Sequence, residues 1–96
     1  MNVLLADNDL DFLETRAEYL EAAGYTVFKA DTFQKTVEFL EDAFRYPLHL
    51  AILDVRLVND DDTKDETGLE LAKNPAYRFL PKIIITGKPE YKRIPL

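Results

Sequence analysis

The run LAILDVRL (residues 50–57) sets a carboxylate at the end of the most apolar segment of the chain. With Leu48 and His49 it reads LHLAIL (48–53), short enough for a strand covered on both faces. Asp54 has no place inside such a strand. It fits where a strand leaves the core.

The segments on either side supply the context. NVLLA (2–6) is a short apolar strand, followed at once by Asp7, Asn8 and Asp9. Leu10, Leu13, Ala17 and Leu20 recur at helical spacing, and Gly24 supplies a stop. YTVFKA (25–30) alternates as a strand does. Asp31 or Thr32 can cap a second helix, with Gln34 placed as in a capping box after Asp31. Phe33, Val37, Leu40 and Phe44 are expected to form its buried face, and Pro47 marks its end. GLELAKN (68–74) predicts a short helix interrupted at Pro75, and KIIIT (82–86) is β-branched and strand-like. The order β-α-β-α-β-α-β argues for a parallel sheet with helices on both faces and right-handed crossovers.

Composition bounds the function. The 96 residues suggest one domain, and a chain this short hides only about 60–68% of its unfolded surface. Apolar content of 47% and charged content of 31% suit an ordinary globular protein. A net charge of −6 argues against direct nucleic-acid binding or an anionic membrane as partner. No stretch approaches the ~20 apolar residues of a membrane span, and the N-terminus lacks a signal-peptide pattern. The absence of cysteine excludes disulfides and thiolate metal sites, and a cytoplasmic setting is the expectation.

Ligands of open α/β sheets gather at the carboxyl ends of the strands, near the switch in strand order. Asp7, Asn8 and Asp9 follow the first strand, Asp54 the third, and Thr86 and Gly87 close the fourth. If the first and third strands are neighbours, Asp7 and Asp54 face each other, and like charges that close disfavour joint ionisation. A hard divalent cation relieves this, and oxygen-only ligands favour Mg²⁺. A carboxylate can also attack a phosphoryl group. The Thr86 hydroxyl is a candidate for a phosphoryl oxygen, with Gly87 leaving room. Asp9, just before Leu10, is better read as a helix cap.

VLLADND, LAILDVRL, TGLEL and PKIIITG, in this order, resemble the receiver domain of a two-component response regulator of the chemotaxis-receiver type, over nearly all of residues 2–87. The resemblance implies a flavodoxin-like, doubly wound parallel α/β sheet. It makes Asp54 the phosphoacceptor and Thr86 the phosphoryl-oxygen ligand. Mg²⁺ would be held by Asp7, Asn8, Asp54 and the backbone carbonyl of Arg56. The implied partner is a histidine kinase or phosphotransfer protein, and the implied function is a phosphorelay switch that catalyses only its own modification.

Three features depart from the family pattern. Asn8 stands where the second acid is normally Asp, which predicts weaker Mg²⁺ binding. The loop between Asp54 and Gly68 is longer than usual. The chain ends ten residues after Thr86, so residues 1–96 are expected to form a single, incomplete receiver with strand order 2-1-3-4. The family's fifth strand and last helices are missing from that expectation, and residues 87–96 form an irregular tail. Lys88 directly follows strand four and is not assigned the family lysine's role. Apolar area on strands one and three, and an unpaired fourth-strand edge, then predict marginal stability, a homodimer or a swapped oligomer.

Other features weigh less. Asn59, Asp61, Thr63, Asp65 and Glu70 fall at calcium-loop spacing, but Lys64 stands where glycine is needed, so a solvated loop is the better reading. His49 lies at the strand end opposite Asp54 and reads as structural. LLADND also resembles the nucleophile motif of haloacid-dehalogenase-type phosphatases, with Asp7 as nucleophile and Asp9 as acid. That alternative leaves Asp54 without a role. A receiver-like interaction module that is never phosphorylated is the third possibility.

Overall fold

The computed structural model describes all residues except 43, 44, 60, 61, 63 and 86–96. Phe44, Asp61, Thr63, Thr86, Gly87, Lys88 and the tail 87–96 therefore lie outside the described residues. Four parallel strands, β1 (Asn2–Ala6), β2 (Thr26–Ala30), β3 (Leu50–Asp54) and β4 (Lys82–Ile85), lie in the order β2-β1-β3-β4. Between them run α1 (Leu10–Ala22), α2 (Phe33–Glu41), α3 (Thr67–Lys73) and a 3₁₀ turn over Pro75–Tyr77. The doubly wound α/β expectation is met. No helix among the described residues is long and apolar enough to cross a membrane.

The register fixes which side chains share a face. Leu4 pairs with Ala51 and Ala6 with Leu53. These enter the larger core with Leu40, Leu57, Leu71, Tyr77 and Leu80, beneath α2, α3 and the 3₁₀ turn. Each fully buried leucine there contributes about 1.5–3 kcal/mol relative to exposure. Leu5, paired with Ile52, points to the opposite face and packs on Leu13 and Ala17 of α1, with Leu20, Val27 and Ile52 at the margin. That face is thinly covered at the β4 side, where Ile83 is 49% exposed. The exposed apolar area expected on β1 and β3 lies on β4 instead, at Ile83, while Leu50 and Ile52 of β3 are half-buried. On β1, α1 buries Leu5 completely. Among the described residues β4 pairs with β3 alone.

Local chemistry sets the element ends. The Asp9 carboxylate caps α1 by accepting from the Asp11 and Phe12 N–H groups, and Gly24 at φ +96° ends the turn after it. Thr32, rather than Asp31, caps α2 through the Lys35 N–H. Asp31 instead pairs with Lys35 Nζ at 2.8 Å, so Gln34 has no capping-box role. The buried positions of α2 are Thr36 and Leu40, with Val37 and Phe39 half-buried, while Phe33 is 38% exposed. The Thr36 hydroxyl is satisfied inside by donating to the Thr32 carbonyl at 2.7 Å. Strand β3 begins at Leu50, not Leu48, and it includes Asp54 as its last residue. His49 sits just outside it: Nδ1 accepts from the Asn2 N–H, and its own N–H donates to the Asn2 carbonyl.

The last turn is tied down by polar contacts. The Tyr77 hydroxyl donates to Glu41, and burial followed by this carboxylate pushes the phenol up to about 12. Lys82 Nζ donates to the Tyr77 and Leu80 carbonyls, orienting the chain into β4.

Candidate functional site

Asp7 and Asp54 are the residues directly beyond the Ala6–Leu53 pair and at the end of β3, respectively. Adjacent strands lie about 4.8 Å apart, so the two backbones are neighbours at the carboxyl edge of the sheet. Both are central in the strand order, and both are buried, at 0% and 1% exposure. Side chains alternate along a strand. Asp54 pairs with Ile85, two residues beyond the Ile52–Ile83 pair, so it falls on the α1 side of the sheet.

Asp7 is fully engaged. Its N–H donates to the Ala30 carbonyl, which carries the β1–β2 ladder one residue past the strand. Oδ1 accepts from the Asp9 N–H at 2.9 Å. Oδ2 accepts from Arg16 Nη1 at 2.5 Å, and the same guanidinium stands 5.0 Å over the Phe12 ring. Arg16 is a site residue that sequence reasoning missed. Its signal was a lone base beside the buried Ala17, on the flank of the apolar stripe of α1.

Asn8 stands next in sequence to Asp7. It borders a shallow depression of about 300 Å³ with Asp31, Thr32, Leu57 and Val58. Its Oδ1 is buried and accepts no hydrogen bond among the described residues. Asp54 Oδ1 accepts from the Arg56 N–H at 3.3 Å, which folds the chain back at the strand end. Thr86 is outside the described residues. Asp9 is occupied as the α1 cap, which leaves the phosphatase alternative without a free acid.

The long loop is organised, not simply solvated. Asp65 is buried, and its carboxylate accepts from the Val58 and Asn59 N–H groups and from both the N–H and hydroxyl of Thr67. Burial alone would push Asp65 up. The bonds from Thr67, Asn59 and Val58 outweigh it and hold the group below the usual carboxylate value. These donors take the place a calcium ion would need. The loop returns at Gly68, whose N–H donates to the Val55 carbonyl.

The oxygen donors suit a hard cation, and the orphaned Asn8 Oδ1 is an oxygen that such an ion would satisfy. Among the described residues, however, no three or more His, Cys, Asp or Glu side chains are grouped so that they could hold a metal. Asp7, Asn8 and Asp54 carry oxygen donors of the kind Mg²⁺ takes, and Oδ2 of Asp7 is held by Arg16.

No family model matches the sequence, and the search of curated proteins returns no match. Solved structures do match. A CheY-like response regulator receiver domain protein from Methanospirillum hungatei aligns over 95% of this chain and 67% of its own, at 26% identity and a TM-score of 0.68. This chain has a receiver-like fold. The signal receiver domain of a modulated diguanylate cyclase from Desulfovibrio desulfuricans covers 95% of the chain at 24% identity and a TM-score of 0.65. The N-terminal domain of a response regulator/sensory box/GGDEF protein from Carboxydothermus hydrogenoformans covers 94% at 23% identity and 0.67. The chain spans about two thirds of the length of these structures. The receiver likeness supports a role in signalling in place of turnover of a metabolite.

Proposed function

We propose that the chain is a phosphoacceptor receiver in two-component signal transduction, modified on Asp54. One observation supports this most: Asp54 and Asp7 are buried side by side at the carboxyl ends of the two central strands. That is where ligands of such sheets bind. A histidine kinase or phosphotransfer protein is the donor, in the cytoplasm.

In this reading an Asp54 oxygen attacks the phosphorus of a phosphohistidine. The P–N bond breaks, its electron pair stays on the imidazole nitrogen, and that nitrogen takes a proton from water. Little else is required of the protein beyond positioning and electrostatic stabilisation. Strand β3 supplies the positioning, because Asp54 is its last paired residue. The Arg56 N–H holds one carboxylate oxygen and leaves the group's orientation restricted. Asp7, Asn8, Asp54 and the Arg56 carbonyl would hold Mg²⁺, which would supply positive charge to offset that of the phosphoryl oxygens. Thr86, next in sequence to Ile85, takes a phosphoryl oxygen. The added charge then biases the neighbouring surface.

Incubation with a small phosphodonor and Mg²⁺ tests the reading by intact mass. A single phosphoryl increment is expected on the wild type and on Asp7→Ala at reduced yield, and none on Asp54→Ala. Label retained in Asp54→Ala and lost in Asp7→Ala would favour the phosphatase-like chemistry. No label on any form would favour a receiver-like interaction module.

A further inference from the structure

The Arg16–Asp7 contact has a consequence for metal binding. A buried carboxylate must be paired. Asp7 is wholly buried, and its partner is the guanidinium of Arg16, one third exposed and resting on Phe12. Asn8 adds no charge. The Arg16 guanidinium offsets the charge of Asp7. We propose that Arg16 is the resident cation on Asp7, and that a divalent metal reaches Asp7 by displacing it. The proposal rests on the reading of Asp7 and Asp54 as metal ligands.

Both Asp7 oxygens are already accepting, Oδ1 from Asp9 and Oδ2 from Arg16. An incoming divalent ion repels the guanidinium at these distances, and a charge pair this close is only weakly screened by salt. Arg16 has somewhere to go. Its side chain borders an open apolar groove of about 260 Å³ with Tyr19, Leu20, Ile83 and Ile85. Its aliphatic stem can stay along that groove while the head turns to water, as long basic side chains do. Displacement therefore requires no repacking of the core. The two occupants of Asp7 are mutually exclusive, so Arg16 sets the metal affinity without being a ligand.

Mn²⁺ binding to the full chain, followed by electron paramagnetic resonance, tests this in the wild type, Arg16→Met and Phe12→Leu. Arg16→Met is expected to bind about tenfold more tightly, since removing one competing cation favours the other. Phe12→Leu removes the ring beneath the guanidinium and touches neither acid, and it is expected to tighten binding about two- to threefold. It carries the test if Arg16→Met fails to fold. Equal or weaker affinity in the folded variants, with binding abolished by Asp54→Ala, would overturn the displacement alone and leave the metal site standing. Absence of binding in every form, or binding indifferent to Asp54→Ala, would overturn the metal reading of the pocket and the proposal with it.

Discussion

Gly68 packs directly on the backbone of Asp54. A Cβ built on Gly68 would overlap the Asp54 carbonyl oxygen and stand 2.7 Å from its carbonyl carbon. The helix that follows the long loop therefore starts against the residue at the heart of the site. Backbone atoms on both sides leave no flexible group to yield.

Gly68→Ala is expected to destabilise the protein by about 1–3 kcal/mol or more through overpacking. It should also reduce phosphodonor labelling, because the end of β3 must shift. Gly24→Ala is the comparison. It meets nothing within 4 Å, so only the positive φ of Gly24 opposes it. Urea melts of the two variants measure the stability difference, and labelling should fall in Gly68→Ala alone.

Asp65 holds the long loop through four donors. Asp65→Ala strands them and is expected to cost about 2–4 kcal/mol, given the strength of hydrogen bonds to a charged acceptor. The folded group titrates below its unfolded value, so its contribution is present above about pH 4 and is lost as pH falls through the folded value. Stability measured against pH in wild type and Asp65→Asn should show the difference shrinking in acid.

Asn8→Asp adds a carboxylate to a pocket that already holds two. Without metal, the like charge should lower stability. With Mg²⁺, affinity should rise on the order of tenfold, equivalent to about 1.4 kcal/mol. Thermal melts with and without Mg²⁺ check both signs: a lower midpoint without the ion and a larger gain with it.

Much of the fold could be read from the chain because local signals agreed. The β-α alternation, the apolar runs and the Asp9 cap all pointed to a parallel α/β sheet, and the receiver resemblance implied its strand order. Asp7 and Asp54 were legible because each closes an apolar strand. What escaped depends on tertiary approach. Thr36 looks polar in sequence, yet its hydroxyl is satisfied within its own helix, so it can be buried in place of Phe33. Asp65 looks like one more acid in a solvated loop, because its donors come from residues whose return path the sequence does not display. Arg16 reads as an ordinary helix base until Asp7 is found buried beside it. Gly68 was visible only as part of a motif, and the carbonyl that excludes a side chain there lies 14 residues earlier at Asp54.

In the proposed function Asp54 accepts the phosphoryl group. Borohydride reduces an aspartyl phosphate to homoserine, which marks the modified position. After treatment with a phosphodonor and Mg²⁺, reduction and peptide sequencing by mass spectrometry should place homoserine at position 54. Homoserine at position 7 instead, or none at any aspartate, would contradict it.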